Sequence, residues 1–225
     1  SADDLKFLQT YDASKFDRPS VAVDVVIFTL HEKTLKILLI KRGGPPFQDR
    51  WALPGGFVNK NSDKTLEEVA KRELLEETGT CVPYLEQLYT FGSQSRDPRD
   101  WTLSVSYFAL VPFSKIIINA GSDASEAKIF TVDKDTVKAK LAFDHKDIIK
   151  LGVERLRAKM EYTAIAGYLL GNEFTLPDLQ NTYELILGET LDKTSFRRGL
   201  ARYNIVQETG RMAASKGHRP AKYYQ

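Results

Sequence analysis

The chain has 225 residues, 42% hydrophobic and 28% charged, which is enough apolar material for one large domain or two ordinary ones. A single cysteine, Cys81, excludes an internal disulfide and a multi-thiolate metal site and fits a reducing cytoplasm. The net charge of +2 joins unlike parts: from Lys193 to Gln225 eight Lys and Arg stand against one acid, Glu208, a surplus of +7 that leaves −5 for everything before it.

A positive end on an otherwise acidic chain predicts a partner that only this end meets. Ser1 to Ser20 is polar and charged, so no basic-then-apolar leader is expected. The most apolar run, Val105 to Ile118, is broken by Pro112 and by Ser114-Lys115, so no membrane span is expected.

After the polar lead-in, Val21 to Phe28 is β-branched and apolar and predicts a buried strand. His31 to Thr34 predicts a turn and Leu35 to Arg42 a second strand, followed by a loop from Gly43 to Arg50 that Gly and Pro punctuate. Arg42 would stand at the mouth of the cleft this loop forms; the alternative is a solvated strand end.

Ala52-Leu53-Pro54-Gly55-Gly56-Phe57-Val58, running on to Arg72-Glu73-Leu74-Leu75-Glu76-Glu77-Thr78-Gly79-Thr80, reads as strand, glycine turn, loop and helix. The Gly55-Gly56 pair lets backbone pass close to a ligand or to the helix. Glu73, Glu76 and Glu77 stand at i, i+3 and i+4, so their carboxylates leave one helix face. Three like charges this close repel one another, and a Mg²⁺ sharing phosphate oxygens of a ligand would remove the penalty. Arg72 can pair with a glutamate and hold it in place. The plain alternative is a glutamate-rich solvated helix.

Gly56 to Thr80 resembles a Nudix box, the Gly-x5-Glu-x7-Arg-Glu-U-x-Glu-Glu-x-Gly-U signature of hydrolases of nucleoside diphosphates linked to another group. The second half matches in full. In the first half sixteen positions separate Gly56 from Arg72 where the signature spans fourteen, and the residue eight before Arg72 is Lys64 rather than glutamate, with Asp63 beside it as a substitute. A cation where a carboxylate belongs disfavours turnover and leaves ligand binding, with Glu73, Glu76 and Glu77 as the residual catalytic candidates and metal ligands.

Leu66, Val69, Ala70 and Leu74 give the box helix its apolar contacts, and Tyr84 to Phe91 predicts another strand. Ser95 to Asp100 is a charge-dense turn in which Arg96 and Arg99 could fork onto phosphate oxygens around Asp97, or simply be solvated. Arg-Asp-Pro turns of this kind accompany ADP-ribose-like ligands in Nudix proteins. Trp101 to Val111 and Lys128 to Val132 complete an α/β fold, a mixed sheet between helices. Leu141 to His145 opens a helix with Asp144 as its cap and Ile148, Ile149, Leu151, Val153 and Leu156 below. His145 is either a polar helix start or a pocket residue. The ligand-binding set is thus Arg42, Gly55, Gly56, Phe57, Arg72, Arg96, Asp97, Arg99 and His145.

With no Gly/Pro linker the boundary near Gly152 to Lys159 is soft, and the expected division is 1–155 for ligand sensing and 156–225 for DNA binding. Thr163 to Leu170 predicts a helix. Thr175-Leu176-Pro177-Asp178 starts another, with Leu179, Tyr183, Leu185 and Ile186 inward and Gly188 at its end. Asp192 or Thr194 caps a third, Lys193 to Tyr203, anchored by Phe196, Leu200 and Tyr203. Ile205 to Gln207 and Ala221 to Tyr224 predict paired strands joined by a basic turn. Three helices and a basic hairpin form a winged helix-turn-helix pattern, whose duplex contacts would be Lys193, Thr194, Ser195, Arg197, Arg198, Arg202, Arg211, Lys216 and Arg219. A helical dimerisation domain with a basic face is the alternative; against it, 161–187 carries no Lys or Arg and the following helix and hairpin carry eight.

Both halves together resemble the NrtR-type Nudix-related transcriptional regulators, through Phe174 to Leu179, Leu191-Asp192-Lys193, Phe196-Arg197-Arg198 and Arg219-Pro220-Ala221. The resemblance implies a cytoplasmic homodimer that represses NAD metabolism genes at a palindromic operator in double-stranded DNA, with ADP-ribose as the effector that releases it. Relatives in the same group respond to sugars. The rival expectation is a Mg²⁺-dependent ADP-ribose or NDP-sugar pyrophosphatase.

Overall fold

The computed structural model of the chain describes residues 1–79, 83–117, 124–203, 206–214 and 220–225, with the side chains of Glu77, Thr78, Ala124 and Tyr203 outside the description. The polar lead-in forms a helix the sequence reading did not foresee, α1 (Ala2–Thr10), closed by a capping box between Ser1 and Asp4 and burying none of its residues.

The first part is built on β1 (Ser20–His31), β2 (Thr34–Arg42), β3 (Trp51–Ala52), β4 (Gly55–Phe57), α2 (Leu66–Thr78), β5 (Tyr84–Phe91), β6 (Thr102–Leu110), β7 (Ala124–Asp133), β8 (Thr136–Val137) and α3 (His145–Met160). The strand order is β5-β6-β1-β2-β7-β8, with β3 on β2 and β4 on β1. β6 runs parallel to β1 from Ser20 opposite Thr102 to Phe28 opposite Leu110, and the other ladders are antiparallel. This is the mixed sheet between helices that the sequence predicts.

Apart from Asp24, β1 is apolar from Val21 to Phe28 because both its faces are covered. Side chains alternate across a strand. Val23, Val25 and Ile27 enter a core under α2 with Val69, Ala70 and Leu74, while Val26 and Phe28 enter one under α3 with Ile148, Ile149, Val153 and Leu156. Thr65 starts α2 by accepting from the Glu68 N–H, and Gly79 stops it in the left-handed region at φ 65.

The second part comprises a short 3-10 helix (Ile165–Leu169), β9 (Phe174–Thr175), α4 (Leu176–Leu187), α5 (Lys193–Tyr203), β10 (Glu208–Met212) and β11 (Lys222–Tyr224), with a three-stranded sheet in the order β10-β11-β9. Thr175 and Asp178 form a capping box, Pro177 occupies the first turn, and Gly188 ends α4 at φ 77. Asp192 Oδ1 accepts from the Ser195 N–H at 2.8 Å and so, rather than Thr194, starts α5. Phe196 of α5 meets Tyr183 of α4 edge to face at 5.2 Å. α3 crosses the soft boundary unbroken, and Leu156 and Met160 share one core with Leu169, Leu179, Tyr183, Ile186 and Leu200, so the two parts are packed together.

Four local expectations change. Thr163 to Leu170 is not a full helix but the single 3-10 stretch, which Gly171 at φ 110 ends. Leu185 is 40% exposed, because the inward stripe of α4 is Leu179, Thr182, Tyr183 and Ile186, the i, i+3, i+4, i+7 positions. The first wing strand is Glu208–Met212 rather than 205–207, since the register sets Glu208 opposite Tyr224; Gln207 pairs through its backbone with Gln225, and Ile205 lies outside the described residues. Asp144 stands at the start of α3 without capping it, for a reason that belongs to the cleft.

Candidate functional site

A cleft of about 690 Å³ opens where β1, the β4 turn, the 95–100 turn and the start of α3 meet. Arg42, Gly55, Gly56, Phe57, Arg96, Asp97, Arg99 and His145 all line it, so eight of the nine ligand-binding residues picked from sequence converge. The ninth, Arg72, is not on the lining and acts behind it.

The glycine turn is where it must be. A Cβ at Gly55 would come within 3.0 Å of the Val23 carbonyl oxygen, and one at Gly56 equally close to Glu73 Oε1. At Gly55 the obstacle is strand backbone, so only glycine fits, whereas at Gly56 a side chain would displace the Glu73 carboxylate. Under the turn, Arg72 Nη1 donates to Glu73 Oε1 at 2.7 Å, stands 3.5 Å from Glu76 Oε1, and reaches Asp63 Oδ2 at 3.4 Å through Nη2. Asp63 therefore does supply a carboxylate beside the box arginine, while Lys64 is exposed. Burial raises the pKa of Glu73, and Glu76 and Asp24 add to the shift against the opposing Arg72.

Arg72 thus offsets part of the repulsion between Glu73 and Glu76. Among the described residues no three His, Cys, Asp or Glu side chains form a metal cage, and the side chain of Glu77 lies outside the description. Glu73 and Glu76 remain a pair of hard oxygen donors of the kind Mg²⁺ takes together with phosphate oxygens.

The 95–100 turn differs from expectation. Its arginines fork onto carboxylates of the protein itself: Arg96 onto Asp144 at 2.7 and 2.8 Å and Arg99 onto Asp97 at 2.7 and 3.0 Å. Arg96 has a side chain only 3% exposed and also lies 3.5 Å from Asp24. A cation so deeply desolvated must be paired, and two carboxylates pair it. Burial pulls the Arg96 pKa down and the carboxylates around it more than restore it, so it is raised. Burial likewise pushes Asp97 up, and the Arg99 donors outweigh it to leave it lowered.

This pairing also explains why Asp144 does not cap α3: its carboxylate is turned to Arg96 and accepts no cap N–H. His145, next in sequence, is buried and belongs to the cleft rather than to a solvated helix start. Its Nδ1 accepts from the Leu53 N–H at 2.8 Å, which places the proton on Nε2, 3.6 Å from Asp24 Oδ1. Burial lowers its pKa against the pull of Asp24 and Asp144, and the ring is neutral at neutral pH.

Three groups escaped sequence reasoning. Asp24, which accepts from Ser104 Oγ, is a charge in the middle of a buried apolar strand, and that incongruity was its signal. Asp144 read as an ordinary cap. Phe143 has φ 50, and the Arg42 and Arg99 guanidiniums lie 5.0 and 5.8 Å from its ring centre, with Arg99 also 5.2 Å from that of Phe57. Arg42 is held by donating to the Pro46 carbonyl at 2.8 Å.

The second candidate surface is α5 and the wing. Lys193, Thr194, Ser195, Arg197, Arg198 and Arg202 are all exposed, while Leu200 and Phe196 turn to the core. Arg211 on β10 is exposed and pairs with Glu173. Lys216 and Arg219 lie outside the described residues. Cations on one helix face at the open side of a helix pair suit the backbone and major groove of duplex DNA.

Comparison with known proteins matches both parts of the chain. The NUDIX domain model matches residues 18–152 and the NrtR DNA-binding winged helix domain model residues 166–225. The chain is 41% identical over 219 residues, 97% of its own length and 86% of the relative's, to the ADPR responsive transcriptional repressor NtrR of Acinetobacter baylyi. It superposes with TM-score 0.81 and 39% identity on Shewanella oneidensis NrtR complexed with a 27mer DNA, covering 91% of this chain and 92% of that one. The NUDIX domain of the same Shewanella protein complexed with ADP ribose matches at TM-score 0.63 and 38% identity, over 68% of this chain and 98% of that one. The chain therefore belongs to the NrtR-type Nudix-related transcriptional regulators, a Nudix fold joined to a winged helix.

Proposed function

We propose that this protein is a cytoplasmic repressor of NAD metabolism genes whose grip on DNA is released by ADP-ribose. The supporting observation is that one packed core joins a polar cleft to a helix with an exposed cationic face. The cleft volume lies within the roughly 300–1,000 Å³ of small-molecule sites, and Phe57 and Phe143 give it an aromatic wall beside Arg42 and Arg99. In this reading residues 1–155 sense and residues 156–225 bind DNA. Glu73 and Glu76 would hold a Mg²⁺ against the diphosphate, where the ion supplies charge neutralisation.

As a two-fold dimer the protein would take a palindromic operator with half-sites one or two helical turns apart. An effector moves such an equilibrium only through its different affinity for two states. Couplings of about 1–3 kcal/mol correspond to roughly 5–150-fold weaker DNA binding. The test is a gel shift with DNA from upstream of this gene and its neighbours, run with no addition, with ADP-ribose and with a panel of sugars. Release by ADP-ribose alone is the expected result; release by a sugar alone, or no shift with any fragment, rejects the reading.

A second reading, an ADP-ribose pyrophosphatase, draws on Arg72 held between Asp63 and Glu73, which restores a carboxylate to the damaged half of the box. Chromatography of the same mixtures with Mg²⁺ distinguishes the two: AMP and ribose 5-phosphate would mark the enzyme.

A further inference from the structure

We propose that α3 is the element through which cleft occupancy reaches the winged helix, and that Arg157 is the positioning residue at its far end. This deepens the proposed function and rests on it. α3 has 16 residues, roughly 24 Å of unbroken helix, and both of its ends are fixed by side chains that contact other elements.

Its beginning is tied to the walls of the cleft. Asp144 gives up capping to hold Arg96, and His145 accepts from the Leu53 N–H one residue before the Pro54-Gly55 turn. Phe143, in the left-handed region, carries the Arg42 and Arg99 guanidiniums. A ligand meeting those arginines or that turn pushes on the first turn of α3.

Its end is tied to the DNA-binding part. Arg157 Nε donates to the Ile186 carbonyl at 3.1 Å in the last turn of α4, while its other nitrogens bond the Lys134 carbonyl at 2.9 Å and Asp135. Tyr183 of α4 donates to the Thr163 carbonyl just beyond α3, and Thr163 Oγ1 donates to the Lys159 carbonyl at 2.7 Å. Tyr183 in turn packs on Phe196 of α5. Arg157 is the fork that pins α4 to both α3 and the β7–β8 turn, so a moving α3 carries α4, and with it α5. Packed, hydrogen-bonded rigid elements that can take two arrangements carry couplings between distant sites.

Arg155 supplies the internal control. It lies on the same helix, yet it bonds the Leu88 carbonyl at 3.3 Å and pairs with Glu86 on β5, contacts that stay within the first part. Losing it should loosen α3 without cutting the link to α4.

The experiment uses the full-length protein: DNA affinity by fluorescence anisotropy with and without ADP-ribose, and ADP-ribose affinity by calorimetry, for wild type, Arg157→Met and Arg155→Met. Arg157→Met should bind DNA alone and ADP-ribose alone within about twofold of wild type, while the effector-induced weakening falls from roughly 5–150-fold to under about threefold. Arg155→Met should keep the wild-type response. Retention of the response by Arg157→Met, or equal loss in both variants, overturns the assignment. Arg157→Lys, which keeps a charge beside Asp135 but removes the Nε donor, takes the place of Arg157→Met if melting shows that variant to be unfolded, with the same loss expected. A wild type that binds both ligands with no effect of one on the other sinks the proposed function itself and this inference with it.

Discussion

The arginines of the two parts do opposite work. In the cleft, Arg96 is buried and shared between Asp144 and Asp24 and so holds shape, while the half-exposed Arg99 is oriented by the buried Asp97. On α5, Arg197 and Arg198 are exposed, and the carboxylate that Arg198 faces, Asp192, is exposed as well. A buried pair fixes geometry because breaking it strands a charge away from water, whereas an exposed cation contributes little to folding and is available to a polyanion. Charge count alone therefore says little about role: the same side chain is a buried pin in one part and a solvent-exposed cation in the other.

The contrast can be broken most severely at Arg96. Arg96→Met leaves Asp144 and Asp24 without their partner and should cost about 3–5 kcal/mol of stability, read as an earlier urea midpoint. An unchanged midpoint would mean that the cleft charges are not structural pins. Arg197→Ala or Arg198→Ala should leave that midpoint alone and weaken operator binding by about 1–3 kcal/mol where the residue reads a guanine, as measured by anisotropy. Intact binding in both variants would move the recognition surface elsewhere.

A third test concerns His145, whose folded pKa is lowered by burial. The unfolded chain takes up a proton near pH 6.5 that the folded one refuses, so stability is unaffected above that pH and falls below it, by at most about 1.4 kcal/mol per pH unit for this group. His145→Asn, whose side-chain oxygen can accept from the Leu53 N–H, should flatten that slope between pH 6.5 and 5. A slope unchanged by the substitution would assign the proton to another group. The smallest effect is expected at Asp192→Ala, where losing the cap of α5 should cost about 1 kcal/mol by thermal melting and weaken DNA binding only through helix fraying.

Much of this was legible in the sequence because it rests on local rules. The β-branched apolar residues of β1, the Thr175–Asp178 box and the Gly188 stop each act within a few residues. The Leu-Pro-Gly-Gly turn also marked one wall of the cleft, since a backbone passing close to a ligand or a helix favours glycine. What could not be read depends on pairs far apart in the chain. Arg96 finds Asp144 across 48 positions, and His145 finds Leu53 across 92, so neither the burial of Arg96 nor the lost cap of Asp144 has a neighbour to announce it. The wing strand was misplaced for a similar reason, its position being set by register with β11 rather than by its own residues.

On the proposed function, filling the cleft loosens α5 from DNA. The most direct measurement is a fluorescence-anisotropy titration of labelled operator with the full-length protein at increasing ADP-ribose, alongside calorimetry showing that ADP-ribose is bound. The account predicts a DNA Kd that rises roughly 5–150-fold as the cleft saturates and then levels off. A DNA Kd that stays constant while calorimetry shows the cleft filled would contradict it.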